Sequence, residues 1–425
     1  MHAQVRTTLL ARIRTTLAQY PRPFWVLFWG TLISSSGNAL VFPFLTIYFR
    51  QRFEMSMTTI GLFLSANASV GLLSGALGGS LADRFGRRNV MAVSLLLTAL
   101  VTLGWGLVDD LTLLLALIVL SGLVGSLFGP ASQAMVADLV EPEKRAEAYG
   151  LIRVVSNLGV VIGPSIGGFL ATRSYLVLFV SAAVAEFIFF VIICTMLPET
   201  KPEILQEDHN ARSRMSYAPV FRDLPFLAVC AVSIVATVVY VQMNTTFPVY
   251  VKEQFGIPEG QYGLLIALNA LMVVTMQFPI TRWTTRFRRT SIMALSAALY
   301  AVGFGALALA RTPLQFAGCV AIWTLGEMTM IPVVSALVAD MAPETMRGRY
   351  MAVNGATWGI GFMMGPLMAG LVSDNLGMVH VWTGSFLLGI VAMAGYLALG
   401  RTMPATANEP QKSELELLIP EAESA

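Results

Sequence analysis

Twelve runs of apolar residues dominate the chain, at 24–49, 58–82, 89–108, 111–139, 147–171, 175–197, 223–251, 260–282, 290–310, 313–341, 348–373 and 378–400. A hydrocarbon layer of about 30 Å takes roughly 20 apolar residues of helix to cross, and each run has that length. Backbone polar groups find no water inside the layer, so only helices and closed barrels span it, and barrel strands would read as short alternating segments. With 56% hydrophobic and 12% charged residues over 425 positions, a water-soluble globule could not hide its apolar side chains. The expected fold is all-α and integral to a membrane, with twelve transmembrane helices.

The basic residues set the orientation. If both termini lie inside, the N-terminal arm, the loops on that side and the tail hold 21 of the 27 lysines and arginines. Positive charge gathers on the cytoplasmic side, so both ends are expected in the cytoplasm, with the protein in the cell (inner) membrane. The first twenty residues carry Arg6, Arg12 and Arg14 but no long apolar core or small-residue cleavage site, which argues against a signal peptide. Both an interfacial amphipathic helix and a disordered arm fit them. Cys194, Cys230 and Cys319 fall within spans at no metal-like spacing, so neither a disulfide framework nor a metal site is expected.

One long hydrophilic segment, 198–222, divides the spans into six and six. The expected parts are therefore an arm at 1–23, a six-helix bundle at 24–197, a cytoplasmic linker at 198–222, a second six-helix bundle at 223–400 and a cytoplasmic tail at 401–425. The halves repeat at a gapless offset of 202: Arg84, Phe85 and Arg87 fall on Arg286, Phe287 and Arg289, Pro130 on Pro332, Asp138 on Asp340, and Gly163-Pro164 on Gly365-Pro366. A series of matches across five helices marks two parallel, pseudo-symmetric repeats, an arrangement that places substrate sites between bundles that rock against each other.

Acids at mid-span are costly, about 2.5–3.5 kcal/mol on insertion scales, and are functional candidates for that reason. There are two, Glu186 and Glu327. Desolvation favours the neutral form of an acid, so each reads either as a proton-coupling group or as a neutral acid bonded to a neighbouring helix. Span five carries Gly159, Gly163, Pro164, Gly167 and Gly168, and span eleven repeats Gly365 and Pro366. Glycines four apart let helix backbones touch and proline kinks the helix, so both spans suit a close-packed, pliable seam. Uncharged polar residues such as Asn38, Gln133, Gln242, Asn244 and Asn269 read first as bonds between helices. No HExxH, no phosphate-binding GxxxxGK[ST] and no clustered histidine occurs, so neither an enzyme, a bound cofactor nor direct ATP drive is expected. Nothing points to nucleic acid; the expected partners are membrane lipid, a small-molecule substrate and protons, with one chain as the working unit.

The stretch Gly79-Ser-Leu-Ala-Asp83-Arg84-Phe-Gly86-Arg87-Arg88 resembles the loop 2–3 signature of the major facilitator superfamily, GVVIGPSIGG resembles the span-five signature of its drug–proton antiporters, and LSGLVGSLFGPASQAMVADLV is similar to the twelve-span bacterial multidrug-efflux branch. The resemblance covers all twelve spans. It implies that spans one, four, seven and ten line a central cavity, which brings forward Glu327 with Asn38, Gln133, Gln242, Asn244 and Trp323 and sets Glu186 in a supporting layer. It also implies a cytoplasmic gate in which Asp83 sits at the N-terminus of span eleven and Arg84 or Arg87 pairs with Asp138. Thr285 stands where Asp83 would repeat, so the second half lacks that acid. Span four lacks the arginine that many proton-coupled relatives carry, which leaves coupling to another group such as Glu327 or absent. The function so implied is alternating-access efflux of amphipathic organic compounds coupled to protons. An importer or facilitator of a sugar, amino acid or similar metabolite is the alternative, and a transport-dead receptor or scaffold is the alternative of another class.

Overall fold

The computed structural model describes residues 19–200, 217–343, 346–403 and 408; the N-terminal arm up to residue 18, the linker core at 201–216 and nearly all of the tail lie outside them. Twelve helices are long and apolar enough to cross a membrane: α1 Arg22–Phe53, α2 Met57–Phe85, α3 Arg87–Leu107, α4 Leu111–Leu139, α5 Glu147–Arg173, α6 Tyr175–Met196, α7 Leu224–Phe255, α8 Glu259–Thr284, α9 Arg289–Ala308, α10 Pro313–Met341, α11 Arg347–Leu376 and α12 Met378–Thr402. No strand occurs among the described residues. Exposed apolar side chains such as Leu73, Phe278 and Leu314 fit helices whose outer faces meet hydrocarbon rather than water.

The first helix of each half is broken. A 3-10 turn interrupts α1 at Phe42–Phe44, with Pro43 in its first turn, and another interrupts α7 at Val241–Met243. Proline withholds a donor from the ladder. In α7 the Gln242 side chain occupies the break, donating to the carbonyls of Val238 and Gly365 at 2.9 and 3.0 Å while accepting from the hydroxyls of Thr245 and Thr246.

Contacts divide the chain into two compact units. One comprises 1–45 and 66–205; the other comprises 46–65 and 206–425. The twenty residues that end α1 and begin α2 thus belong with the later part of the chain. Within that second unit, the Asp374 carboxylate of α11 accepts from the backbone N–H groups of Met57 and Thr58 at 3.1 and 2.7 Å, capping the start of α2, where the helix dipole favours an acid. Arg50 Nε pairs with Glu253 at 2.8 Å, and the Ser65 hydroxyl donates to the Met363 carbonyl.

The interior of each unit rests on the same pairings at the 202-residue offset. In the first, α1 packs on α5 and α6, and α3 on α4 and α6; in the second, α7 packs on α11 and α12, and α9 on α10 and α12. Small residues make these approaches close. A Cβ added at Gly163 of α5 would lie 2.5 Å from Ala39 Cβ and 2.9 Å from the Leu40 nitrogen of α1. One added at Gly365 of α11 would lie 2.3 Å from Val241 of α7. Gly159 and Gly167 meet Ser35 and Leu40 of α1 as closely, while Gly168 is buried and its carbonyl accepts from Thr172. Pro164 lies inside α5 and Pro366 inside α11.

A Gly163→Leu substitution is expected to overpack the α1–α5 contact and to lower the thermal midpoint of the detergent-purified protein, at a cost of about 1–3 kcal/mol. Gly150→Ala on the same helix, where an added Cβ meets nothing within 4 Å, is expected to leave the midpoint unchanged or raise it slightly.

Candidate functional site

The two mid-span acids each sit against the broken first helix of their own unit. Glu186, 2% exposed, lies on the face of α6 that meets α1. Its carboxyl is bonded to the Ser34 hydroxyl, 3.0 Å from either oxygen, and accepts from Asn38 Nδ2 at 2.7 Å. Glu186 is therefore in direct contact with α1, although the resemblance implied a supporting position. Asn38, expected in the cavity, is a partner of that carboxyl.

Glu327 of α10 accepts from the Tyr240 hydroxyl of α7 at 3.1 Å and from Asn269 Nδ2 of α8 at 2.8 Å. Asn269 also reaches the Thr324 hydroxyl at 2.9 Å. Neither acid forms an ion pair among the described residues. Both are held by neutral groups, a setting in which a carboxyl can exist as the uncharged acid and donate one hydrogen bond while accepting others.

The repeat accounts for the partners. Asn38 and Tyr240 occupy the same slot at the 202-residue offset, as do Asn67 and Asn269. In each half the first slot faces the acid of that half. Asn67 of α2 reaches the Ile118 carbonyl and Ser121 hydroxyl of α4 at 2.8 and 2.6 Å, just as Asn269 of α8 reaches α10. The acids themselves do not repeat: Leu388 stands opposite Glu186, and Gly125 opposite Glu327. One framework thus carries an acid on its sixth helix in one copy and on its fourth helix in the other. Extending the offset to Tyr240 would have singled it out from the sequence; Ser34 has only Ala236 as its counterpart and gave no such signal.

The remaining cavity candidates divide. Gln242 is buried and engaged at the α7 break. Trp323 is fully buried and stacks on Phe304 at 4.6 Å, with Phe247 edge-on at 5.2 Å, so it belongs to the aromatic core of the second unit. Asn244 is half-buried just after the 3-10 turn. Gln133 is exposed on α4, and its carbonyl accepts from Tyr149 at 3.0 Å.

At the α2–α3 junction, Arg87 is the residue that pairs with Asp138: Nε lies 3.0 Å from the carboxylate, and a second guanidinium nitrogen lies 2.9 Å from Asp83. Arg87 is nearly buried, whereas Asp83 is mostly exposed. Arg84 lies over the Phe85 ring, and Arg88 donates to the Cys194 carbonyl. Gly86 turns the chain at φ +98, where a side chain would be strained and would also meet Glu199. Nothing lies within 4 Å of a Cβ added at Gly79, so that position has no steric need of glycine. The arginine–aspartate pair repeats as Arg289–Asp340 at 2.5 Å, at the offset that relates Arg87 and Asp138.

No group of three or more histidine, cysteine or acidic side chains suited to a metal occurs among the described residues.

Comparison with known proteins agrees with this framework. The profile of the Major Facilitator Superfamily matches residues 27–258 and 232–421. The chain is 27% identical over 380 residues to the uncharacterised MFS-type transporter YqjV of Bacillus subtilis (strain 168), covering 87% of this chain and 92% of that protein. It is 27% identical over 390 residues to a Na(+), Li(+), K(+)/H(+) antiporter of Planococcus maritimus, covering 84% and 91%. It is 25% identical over 369 residues to the multidrug resistance protein MdtH of Escherichia coli O157:H7, covering 86% and 90%. Among solved structures, the nucleoside transporter NupG superposes with a TM-score of 0.77 at 12% identity, covering 89% of this chain and all of that one. A D-xylose-proton symporter superposes at 0.74 and 16% identity, covering 91% and 98%. Twelve spans, a two-copy framework and a family match over the whole transmembrane region lead to one conclusion: the chain is a multi-pass membrane transporter of the Major Facilitator Superfamily, not an enzyme.

Proposed function

We propose that this transporter exports amphipathic organic compounds in exchange for protons by alternating access, with Glu327 as the coupling group. The observation that carries this reading is the Glu327 site: a mid-span carboxyl bonded to Tyr240 and Asn269, neutral donors from two other helices. An acid in that setting changes charge when it gains or loses a proton. The changed charge alters its bonds to α7 and α8, so proton occupancy biases how those helices pack. The name of the MdtH relative supports organic export. In this reading both termini face the cytoplasm at the inner membrane and one chain is the working unit. The Arg87–Asp138 pair and Asp83, which pairs with the same arginine, belong to the cytoplasmic gate.

The Planococcus maritimus relative favours a second reading, in which the exchanged cargo is a monovalent cation. The Glu186 carboxyl and Ser34 hydroxyl supply oxygens for it, and oxygen donors are what such a cation takes.

Proteoliposomes loaded with a pH-sensitive dye separate the readings. With an imposed proton gradient, ethidium accumulation with opposed proton movement is expected, and Glu327→Gln should reduce it to the level of empty liposomes while the protein still elutes as a single folded species. Full gradient-driven accumulation by Glu327→Gln overturns its coupling role. Proton movement driven by sodium or potassium alone establishes the cation reading instead, and cargo moving in the same direction as protons establishes import. For the gate, Asp83→Asn is expected to raise the labelling rate of cysteine probes placed on the cytoplasmic side of α4 and α11; unchanged labelling rejects Asp83 as a gate residue.

A further inference from the structure

The second unit contains a cavity of about 40 Å³ with a mixed polar and apolar lining, walled by α7, α9, α10, α11 and α12. Tyr240, the partner of Glu327, forms part of its wall, with Ser233, Tyr300, Asn354 and Tyr396. Ser233 and Tyr396 are bonded to each other at 3.1 Å. Asn354 is 7% exposed, and its Oδ1 has no hydrogen-bond partner among the described residues. A buried acceptor without a partner is destabilising, and a cavity with polar groups and more than about 15 Å³ has room for a water that supplies the missing bond.

One helical turn before Asn354, on the same face of α11, the Tyr350 hydroxyl donates to Asp223 Oδ2 at 2.8 Å. Asp223 caps α7 through its other oxygen, accepting from the Phe226 N–H at 3.1 Å, and stands at the end of α7 next to the linker. Two linked polar sets therefore lie along this face: Glu327, Tyr240 and the cavity at Asn354, and, one turn further along α11 and outside the cavity wall, Tyr350 with Asp223.

The repeat shows that the shared framework does not demand these groups. The slots of Asp223, Tyr350, Asn354 and Tyr396 are filled in the first half by Pro21, Ala148, Ile152 and Cys194. These four groups belong to the copy whose fourth helix carries the acid, while Ser233 and Tyr300 keep polar counterparts in Thr31 and Thr98.

We propose that the cavity beside Asn354 is a water site, holding one or two ordered waters that pass the Glu327 proton to Asp223, so that the proton leaves through the interior of the second unit. The inference rests on the coupling role of Glu327. In the transfer the Tyr240 hydroxyl, which at rest donates to Glu327, turns to give its proton to the cavity water as it takes the proton of Glu327. The cavity water passes a proton, through a second water across the one-turn gap along α11, to Tyr350, whose own proton passes to Asp223 and then to bulk water. One proton leaves Glu327, one leaves Asp223, and each hydroxyl between them ends as it began. The titratable side chains facing the route are Tyr240, Tyr300 and Tyr396 at the cavity, Tyr350 and Asp223 beyond it, and Cys230, which lies near both Asp223 and Tyr396; no lysine or arginine lines the cavity.

Hydrogen–deuterium exchange of the Glu327 carboxylic acid, followed by infrared spectroscopy on the full-length transporter in phospholipid nanodiscs moved into D2O, tests the route without a cargo. The carbonyl band present in wild type and missing in Glu327→Gln identifies the group. Asn354→Leu, which fills the cavity with apolar bulk, is expected to slow its exchange by roughly 10²-fold, the lower end of what a positioned proton-transfer group supplies; Asn354→Ser is expected to stay close to wild type. Tyr350→Phe removes the link to Asp223 and is expected to slow exchange as well, and it decides the matter if the leucine variant does not fold. Exchange at the wild-type rate in these slow-expected variants overturns the route and leaves the coupling reading standing. Wild-type protein without a protonated Glu327 band overturns the coupling reading, and the route with it.

Discussion

Hydrocarbon offers no hydrogen bonds, and most polar positions in this transporter follow from that. A side chain that could be left to water in a soluble protein must here find its partner on a neighbouring helix. Asn67 binds α4, Gln242 binds α11, Ser233 binds Tyr396 of α12, and the two mid-span carboxyls bind α1 and the α7–α8 pair. The same absence of water removes the hydrophobic drive between helices, which leaves close backbone contact as a main source of attraction. The glycines of α5 and α11 supply that contact, and it is what brings α1 and α7 into register with their neighbours. Under such a rule the informative groups are those that remain charged, chargeable or unpartnered. Among them are the Glu186 and Glu327 carboxyls and the Asn354 side-chain oxygen.

The two halves use one scaffold for different ends. Their helix pairings and arginine–aspartate pairs correspond, while their acids occupy different helices. A duplicated framework tolerates this because each acid needs only two or three nearby donors, and the first helix of each half provides one from the same slot. Divergence is therefore confined to side chains whose replacement leaves the backbone contacts intact. Asp83 fits the pattern: the second half keeps the arginine and the distal aspartate but has Thr285 at that slot.

Much of this was legible in the sequence because it depends on local or periodic signals. Span number, all-helical character and the superfamily resemblance follow from apolar runs and a short loop signature; that signature implied an arginine partner for Asp138, either Arg84 or Arg87, and packing selects Arg87. The partners of the acids were not legible in the same way. Glu186 and Ser34 are 152 positions apart, and Glu327 and Tyr240 are 87 apart; no helical period links them, and only packing decides which faces meet. Trp323 and Gln242 show the reverse case. Their helices suit a cavity, but their side chains point into the bundle, a rotation that spacing alone does not fix. The sequence likewise marks the hydrophilic linker as the division of the chain, whereas contacts place residues 46–65 with the second unit.

That last placement has a topological consequence. The chain passes between the units three times: near the 3-10 turn of α1, within α2 after Ser65, and through the linker. Two of those passages run through transmembrane helices. Severing the linker would therefore not yield two independent pieces, because the first fragment would still carry a twenty-residue strap woven into the second. The chain thus enters and leaves the second unit inside α1 and α2, so those two helices are covalent parts of both units and not only of the first.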